Sequence, residues 1–257
     1  MAGFGLSWSI LKRCFQLCAF TSISFAQPSC FTGINPYPDE EIRTTLSSVK
    51  NLTYAAYTWR EFVSDYDELD DHLPYARLMG YREEVALESQ CMTSLVLNLH
   101  PLLESIDIPS ESAPLACMAR LPWLKLRRFA LRGRFVDPEA FNSLRHLLTV
   151  ISPTLSSLSL EMYTGREITS RFRLFDSQTP GSNSPQFQLR SLTLAYPDPD
   201  DAIFDSSGTQ LAHLGLCDFP RFYYQRASEL ARDAWSAPIL SSAECLSILR
   251  QIGRAHV

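Results

Sequence analysis

The feature that most constrains this chain is a six-residue pattern with leucine at the first, fourth and sixth positions. It occurs strictly at 155–160, 189–194 and 211–216, and once more from Leu121, in a register that overlaps the strand predicted from Leu126, so only one of these two can be used. Leucine content alone predicts roughly 0.7 strict matches in the whole chain. In an extended strand the fourth and sixth positions share one face. Each copy therefore predicts a short strand with one apolar side, which neighbouring copies must cover by stacking beside it.

Looser versions of the pattern begin at Val49, Met92 and Leu126 and extend the predicted array towards the N-terminus. The six starts are 22 to 43 residues apart, whereas a regular leucine-rich repeat has a period of about 20 to 29 residues. The longer intervals require inserted loops or longer helices. We predict an α/β fold, a leucine-rich-repeat-like solenoid with short parallel strands on one face and helices or loops on the other. An unrelated α/β domain with leucine-rich strands is the alternative.

Helix signals lie between the predicted strands. Segment 39–49 opens with three acidic residues, which favour a helix N-terminus, and continues with an apolar stripe. Segment 138–150 begins with proline and glutamate and places apolar residues on one helical face. Segments 81–90 and 115–121 also read as helices. This alternation of helix and strand supports a parallel sheet.

Strand alternation also predicts which side chains face away from the core. These side chains lie immediately before the fourth position, between the fourth and sixth, and after the sixth. The predicted outward set is Ser94, Val96, Asn98, Arg128, Ala130, Arg132, Ser157, Ser159, Glu161, Ser191, Thr193, Ala195, His213, Gly215 and Cys217. Parallel-strand arrays of this kind bind proteins on that face. The candidate partner-binding residues are its larger polar members, Arg128, Arg132, Glu161 and His213. Solvated side chains without a partner are the alternative.

The charge balance argues against nucleic acid as a ligand. The formal net charge is -5, whereas DNA and RNA binding needs a basic surface that displaces counterions. One basic cluster does stand out, and it consists of Arg120, Lys125, Arg127, Arg128, Arg132 and Arg134. We expect this cluster to cover a strand edge or to meet an acidic protein surface.

No motif for catalysis, metal binding or cofactor binding is present in the sequence. His72, His100, His146 and His213 lack the spacing of metal ligands, and no phosphate-binding glycine loop or serine-nucleophile motif occurs. We expect neither catalytic residues, nor a metal, nor a cofactor, and therefore a protein that is not an enzyme. The seven cysteines lack paired CxxC spacing, which predicts buried free thiols.

The two ends of the chain differ from the repeats. Residues 1–34 are an apolar N-terminal segment in which 14–26 follows two basic residues and ends Ser24-Phe25-Ala26, as in a secretory cleavage site. This segment is interpreted either as a signal peptide, or as a mistranslated leader or an N-terminal helix. No run in the sequence reaches the about 18 apolar residues of a membrane span. Residues 35–251 form the predicted repeat domain, and 252–257 match a translated sequencing adapter.

The C-terminal part resembles a known family. Segments 211–221, 235–240 and 241–250, with the sequences LAHLGLCDFPR, WSAPIL and SSAECLSILR, resemble the C-terminal part of fungal F-box proteins with leucine-rich repeats. The units from Leu155 and Leu189, and LPWL at 121–124, are similar to the repeats of that group. The resemblance covers roughly residues 40–250.

The resemblance implies that the repeats select a protein target for ubiquitin ligation. In that family an N-terminal F-box docks on a cullin-based ubiquitin ligase, but its L-x-x-L-P opening is not found ahead of the repeats here. Only target binding is therefore carried over, and a ligase-adaptor role requires an F-box outside this chain. We expect a non-catalytic protein-binding domain in the cytoplasm or nucleus. The alternative is a secreted or surface leucine-rich-repeat protein that uses 1–26 as its signal peptide.

Overall fold

The computed structural model describes residues 8–25, 39–54, 75–134, 138–163, 173–175, 185–195, 197–206, 210–217 and 248. The chain divides into two compact units, Met1–Leu126 and Arg127–Val257. Within each unit, strands that follow one another in the chain lie next to one another and pair in parallel. The predicted α/β class with short parallel strands is confirmed.

The N-terminal unit contains four described helices and three described strands. The helices are α1 (Trp8–Leu17), α2 (Asp39–Thr45), α3 (Tyr75–Leu99) and α4 (Leu115–Met118). The strands are β1 (Ser22–Phe25), β2 (Asn51–Tyr54) and β3 (Ser105–Pro109). Ile23 of β1 lies in register with Leu52 of β2, which lies in register with Ile106 of β3. All three are buried, so one side of these strands forms the core of the unit.

Helix α2 forms where its sequence predicts a helix. Three carboxylates occupy its first turn, where they oppose the positive end of the helix dipole. The apolar stripe after them, Ile42, Leu46 and Val49, is completely buried. Glu41 joins α2 to α1, because its carboxylate accepts hydrogen bonds from the Lys12 ammonium at 2.6 Å and from the Trp8 indole at 3.3 Å.

The strand predicted at 92–97 is wrong, since these residues belong to α3. Met92, Leu95 and Val96 are buried. Leu95 and Val96 follow Met92 by three and four residues, so all three lie on one face of a helix. Leu97 is 40% exposed. A strand would have buried Leu97 and turned Val96 outward, so the observed burial follows the helical period and not the period of two.

Asn98 was predicted on the outer face of that strand and is instead only 2% exposed. Its amide nitrogen donates to Asp39 Oδ1 at 2.9 Å, and its amide oxygen accepts from Arg43 Nη2 at 3.5 Å. The Ser94 hydroxyl donates to the same Asp39 oxygen at 3.2 Å. A buried side-chain amide needs hydrogen-bond partners for both its nitrogen and its oxygen. These polar groups therefore join α3 to α2 and do not form part of a strand face.

The strand that follows α3 was missed in the sequence. It is β3, and its buried residues Leu103, Ile106 and Ile108 fill the first, fourth and sixth positions of the pattern. Two of these are isoleucine, so a search for leucine passes over them, although β-branched residues are enriched in strands. One copy of the pattern therefore begins at Leu103, 23 residues before the copy at Leu126.

The C-terminal unit contains four described strands, β4 (Arg128–Arg134), β5 (Ser157–Tyr163), β6 (Ser191–Ala195) and β7 (His213–Cys217). Its described helices are α5 (Pro138–Ile151) and α6 (Ile203–Ser206). Phe129, Leu158, Leu192 and Leu214 stand in register across the four strands. The first three are buried, whereas Leu214 is partly exposed. The predicted helix at 138–150 is confirmed, with Leu144, Leu147, Leu148 and Ile151 buried.

A repeated backbone arrangement precedes these strands. The carbonyl of Arg127 accepts two N–H groups, from Ser156 at 2.8 Å and Ser157 at 2.9 Å. The carbonyl of Ser156 in turn accepts N–H groups from Arg190 at 2.8 Å and Ser191 at 3.1 Å. The same double acceptance links Arg190 to Ala212 and His213, Thr21 to Lys50 and Asn51, and Lys50 to Glu104 and Ser105. Within each unit, the chain thus enters successive strands in the same way, directly after the first apolar residue of the pattern.

Candidate functional site

Outward side chains of β4 to β7 form one surface, which we call the outer strand face. It consists of Arg128, Ala130, Arg132, Ser157, Ser159, Glu161, Ser191, Thr193, His213 and Gly215. Each of these side chains is partly or fully exposed, while on β4 to β6 the residues that alternate with them are buried. All four candidate partner-binding residues therefore lie on one face of the C-terminal unit.

The row nearest the N-terminal ends of the strands has basic residues at both ends. Arg128, Ser157, Ser191 and His213 stand in register on the four strands, and Arg128 and His213 are exposed. Three strand spacings of about 4.8 Å separate their backbones, a distance of about 14 Å. The structure therefore keeps Arg128 and His213 apart, with two serines between them, and they would contact different parts of a partner.

Arg132 and Glu161 are direct neighbours. They are register partners on β4 and β5, one strand spacing apart, and both are partly exposed. The Ser159 hydroxyl donates to Glu161 Oε1 at 3.0 Å, so the carboxylate is held along its own strand. Opposite charges side by side on a sheet stabilise each other modestly. The structure thus places these two candidate residues side by side.

Small residues line the middle of the outer strand face. Ala130, Ser159, Thr193 and Gly215 stand in register across β4 to β7. A Cβ placed on Gly215 would lie 3.0 Å from the Thr193 hydroxyl oxygen and 3.1 Å from its methyl carbon, so the Thr193 side chain covers the glycine. This row has no long side chain, and a partner can therefore approach the strand backbone closely.

Several predicted members of this surface lie elsewhere. Ser94, Val96 and Asn98 are in α3, as described above. Ala195 is only 2% exposed, so its methyl group is covered although its position in the strand alternates correctly. The Cys217 side chain lies outside the described residues. The outer strand face is therefore confined, among described residues, to the C-terminal unit.

A groove at the N-terminal ends of the strands was not predicted. Its volume is about 330 Å³, and it is lined by Arg127, Pro153, Thr154, Leu155, Ser156, Gln188, Arg190 and Gln210. Arg127 belongs to the basic cluster of the sequence, whereas Arg190 lies outside that cluster and is not among the predicted site residues. Both follow the first apolar residue of the pattern, in Leu126-Arg127 and Leu189-Arg190. Aligning the repeats by this position would have placed the two arginines on the same edge.

Asp201 is a buried carboxyl group with a raised pKa. It is 1% exposed, and burial raises its pKa to about 6, against hydrogen bonds from the backbone N–H groups of Ile203, Leu174 and Phe175 that lower it. Nearby Asp198 raises it further and is itself bound by Arg173 at 2.7 Å. This carboxyl ties 173–175 to the start of α6, so its role is structural.

Four of the described cysteines are free thiols, and their exposure varies. Cys91 is buried and Cys117 is partly buried, whereas Cys14 and Cys18 are exposed. The prediction of buried thiols is therefore wrong for Cys14 and Cys18. Burial raises the pKa of the Cys117 thiol, which disfavours the nucleophilic thiolate at neutral pH.

Within the described part of the chain, no three His, Cys, Asp or Glu side chains are grouped in a way that could hold a metal ion. None of the described helices has both the length and the hydropathy needed to cross a lipid bilayer.

Comparison with protein-family models finds no match for this chain, and comparisons with curated proteins and with solved structures find none either. The resemblance to F-box proteins with leucine-rich repeats therefore stays a prediction.

Proposed function

We propose that this chain is a non-catalytic protein-binding domain of the leucine-rich-repeat type. The double hydrogen bond repeated at the entries to β2, β3, β5, β6 and β7 supports this class, because equivalent turns stacked at one strand spacing are what a repeat array requires. The buried register of Phe129, Leu158 and Leu192 supports it as well, since each apolar side is covered by its neighbour.

The observation that carries the proposal is the composition of the outer strand face. Its middle row is short, while Arg128, Arg132, Glu161 and His213 stand at its margins. A surface of this kind offers backbone proximity and both signs of charge to a folded partner. Charges at such positions contribute chiefly to the choice and orientation of a partner.

We further propose that the bound protein is a target for ubiquitin ligation, as the F-box resemblance implies. Much of the segment that carries this resemblance, 235–250, lies outside the described residues, apart from Ile248, which is buried. The adaptor role needs an F-box encoded in the intact gene. The expected result is that the protein from that gene copurifies with a cullin-based ligase, and failure to do so would leave protein binding without the ligase role.

The binding role is tested by reversing charges on the outer strand face. Proteins captured from cells by the wild-type chain are compared with those captured by Arg132→Glu, by Glu161→Arg and by the double variant that carries both changes. The double variant keeps opposite charges side by side but exchanges the positive and the negative position that a partner would contact. Arg13→Glu is the matched control, because Arg13 is an exposed residue of α1, in the N-terminal unit of the chain.

The expected result is a protein captured by the wild type and by Arg13→Glu and lost with all three face variants. Recovery of that protein by the double variant would mean that Arg132 and Glu161 act only on each other. Equal capture by every variant would contradict a role for the outer strand face in binding.

We propose an intracellular location. Two observations support it over the secreted alternative. Ile23 and Phe25 are buried in β1, which pairs with β2, so cleavage after Ala26 would remove a strand of the sheet. Asn51 begins an Asn-Leu-Thr sequence, the acceptor motif for N-glycosylation, and its side-chain amide donates to Ser22 Oγ at 2.9 Å. A fusion reporter of the intact gene that is secreted and glycosylated at Asn51 would overturn this location.

A further inference from the structure

The groove beside β4 to β7 combines two guanidinium groups with uncharged donors. Arg127 and Arg190 are exposed, as are Gln188 and Gln210. Among the described lining residues there is no carboxylate. Within the described part of the chain, neither arginine forms an ion pair. The local charge of the groove is therefore positive, opposite in sign to the net charge of -5 on the whole chain.

The register of the strands explains why the two arginines face one space. Arg127, Ser156 and Arg190 are the residues whose carbonyls accept the repeated pair of N–H groups, so they occupy equivalent positions on three neighbouring turns. Two strand spacings, about 10 Å, separate the backbones of Arg127 and Arg190. Ser156 lies between them and is short. Two long side chains can therefore close from opposite sides on a group placed above Ser156.

The hydroxyls of the groove are already engaged as donors. Ser156 Oγ donates to the Arg127 carbonyl at 3.0 Å, and Thr154 Oγ1 donates to the Ile151 carbonyl at 3.2 Å. The donors left for a ligand are the two guanidinium groups and the two glutamine amides. A ligand that satisfies them must present several acceptor oxygens and negative charge.

We propose that this groove binds a small phosphomonoester through Arg127 and Arg190. A carboxylate is satisfied by one guanidinium fork, whereas a phosphate group carries a charge of about -1.5 to -2 and three acceptor oxygens, enough for both arginines and an amide. The volume of about 330 Å³ is at the lower end of ligand sites, which are about 300 to 1,000 Å³. It therefore suits a small ester better than a nucleotide. This site is separate from the outer strand face and does not depend on the proposed function.

The test is calorimetric titration of the full chain in phosphate-free buffer with two probes, inorganic phosphate and glycerol 3-phosphate. The variants Arg127→Ala and Arg190→Ala keep the backbone carbonyls that hold the strand entries, and circular dichroism checks that they fold. Arg13→Ala is the control, since it removes one exposed positive charge elsewhere. We expect wild type and Arg13→Ala to bind glycerol 3-phosphate alike, and each groove variant to bind it at least about tenfold more weakly.

A lysine variant at each position separates geometry from charge. Arg127→Lys and Arg190→Lys keep the charge but lose the planar fork, so we expect binding between that of wild type and that of the alanine variants. No binding of either probe to wild type at 10 mM, or equal binding by wild type and both alanine variants, would overturn the site. Binding of inorganic phosphate alone would overturn the ester as ligand, because the groove would then admit only the free anion.

Discussion

Asp201 makes the stability of this fold depend on pH in a direction opposite to that of an ordinary paired carboxylate. Its pKa is raised from 3.8 to about 6, chiefly by burial. In the unfolded chain the carboxyl is solvated and returns to its ordinary value. Between these two values the folded state holds a proton that the unfolded state has lost. The free energy of unfolding therefore falls as pH rises through this window.

The magnitude follows from the size of the shift. At about 1.4 kcal/mol per unit of pKa, a rise of about two units makes the folded state less stable at pH 7 than at pH 4 by about 3 kcal/mol from this group. The contribution is present in full below about pH 4 and is lost by about pH 6 to 7.

The assay is urea unfolding from pH 4 to pH 7 for the wild type and for Asp201→Asn. Asparagine does not titrate, so other groups cancel in the difference between the two proteins. The amide nitrogen of asparagine would face a backbone N–H that the second carboxylate oxygen now accepts, from Leu174, and this adds a cost that is the same at every pH. We expect the free energy of unfolding of wild type minus variant to fall by about 3 kcal/mol as pH rises. A difference that stays flat or rises would refute the argument, because it would mean that the backbone hydrogen bonds outweigh burial.

Three further changes test the packing and backbone of the C-terminal unit. Leu192→Ala removes a fully buried side chain from the core of the C-terminal unit, and we expect urea unfolding to show a free energy of unfolding lower by about 2 to 5 kcal/mol. A loss below about 1 kcal/mol would contradict its core position. Gly133→Ala places a side chain at a φ of 102°, so we expect a loss of about 1 to 3 kcal/mol, and an unchanged midpoint would argue against this conformation. Gly215→Ala brings a methyl group to 3.0 Å from Thr193 Oγ1. Its effect should be more favourable in a Thr193→Ala background, by about 0.5 to 1 kcal/mol, and additive effects would show that Thr193 moves freely.

Opposite charges at Arg132 and Glu161 also explain how this surface can be polar without being costly to fold. Both side chains are partly exposed, so each keeps contact with water while lying beside its partner strand. Exposed pairs of this kind contribute little to stability. Their substitution should therefore change binding more than folding, which makes them suitable probes of the proposed function.

The sequence determined the strands at 155–160 and 189–194, their parallel order and their outward residues. In the last four residues of these segments small polar residues alternate with leucine with a period of two. The alternation is a local property, so it survives without knowledge of the fold. For the same reason Arg128, Arg132, Glu161 and His213 could be placed on one face in advance.

Tertiary structure decided the points at which two local patterns compete. Met92 and Leu95 fit both a strand and a helix, and only packing against α2 shows that the helix prevails. The strict match from Leu121 is no strand either, because Leu124 is 73% exposed. A six-residue window holds fewer than two helical turns, so periodicity alone does not distinguish these cases.

Only the tertiary structure showed that Arg127 and Arg190 line one groove. They are far apart in the chain, and their meeting depends on the register of three neighbouring strands, which a one-residue slip would change. The residues that each strand buries can be predicted from its own sequence, because apolar alternation is a local property. A groove built across strands cannot, because it depends on how separate segments align when they stack.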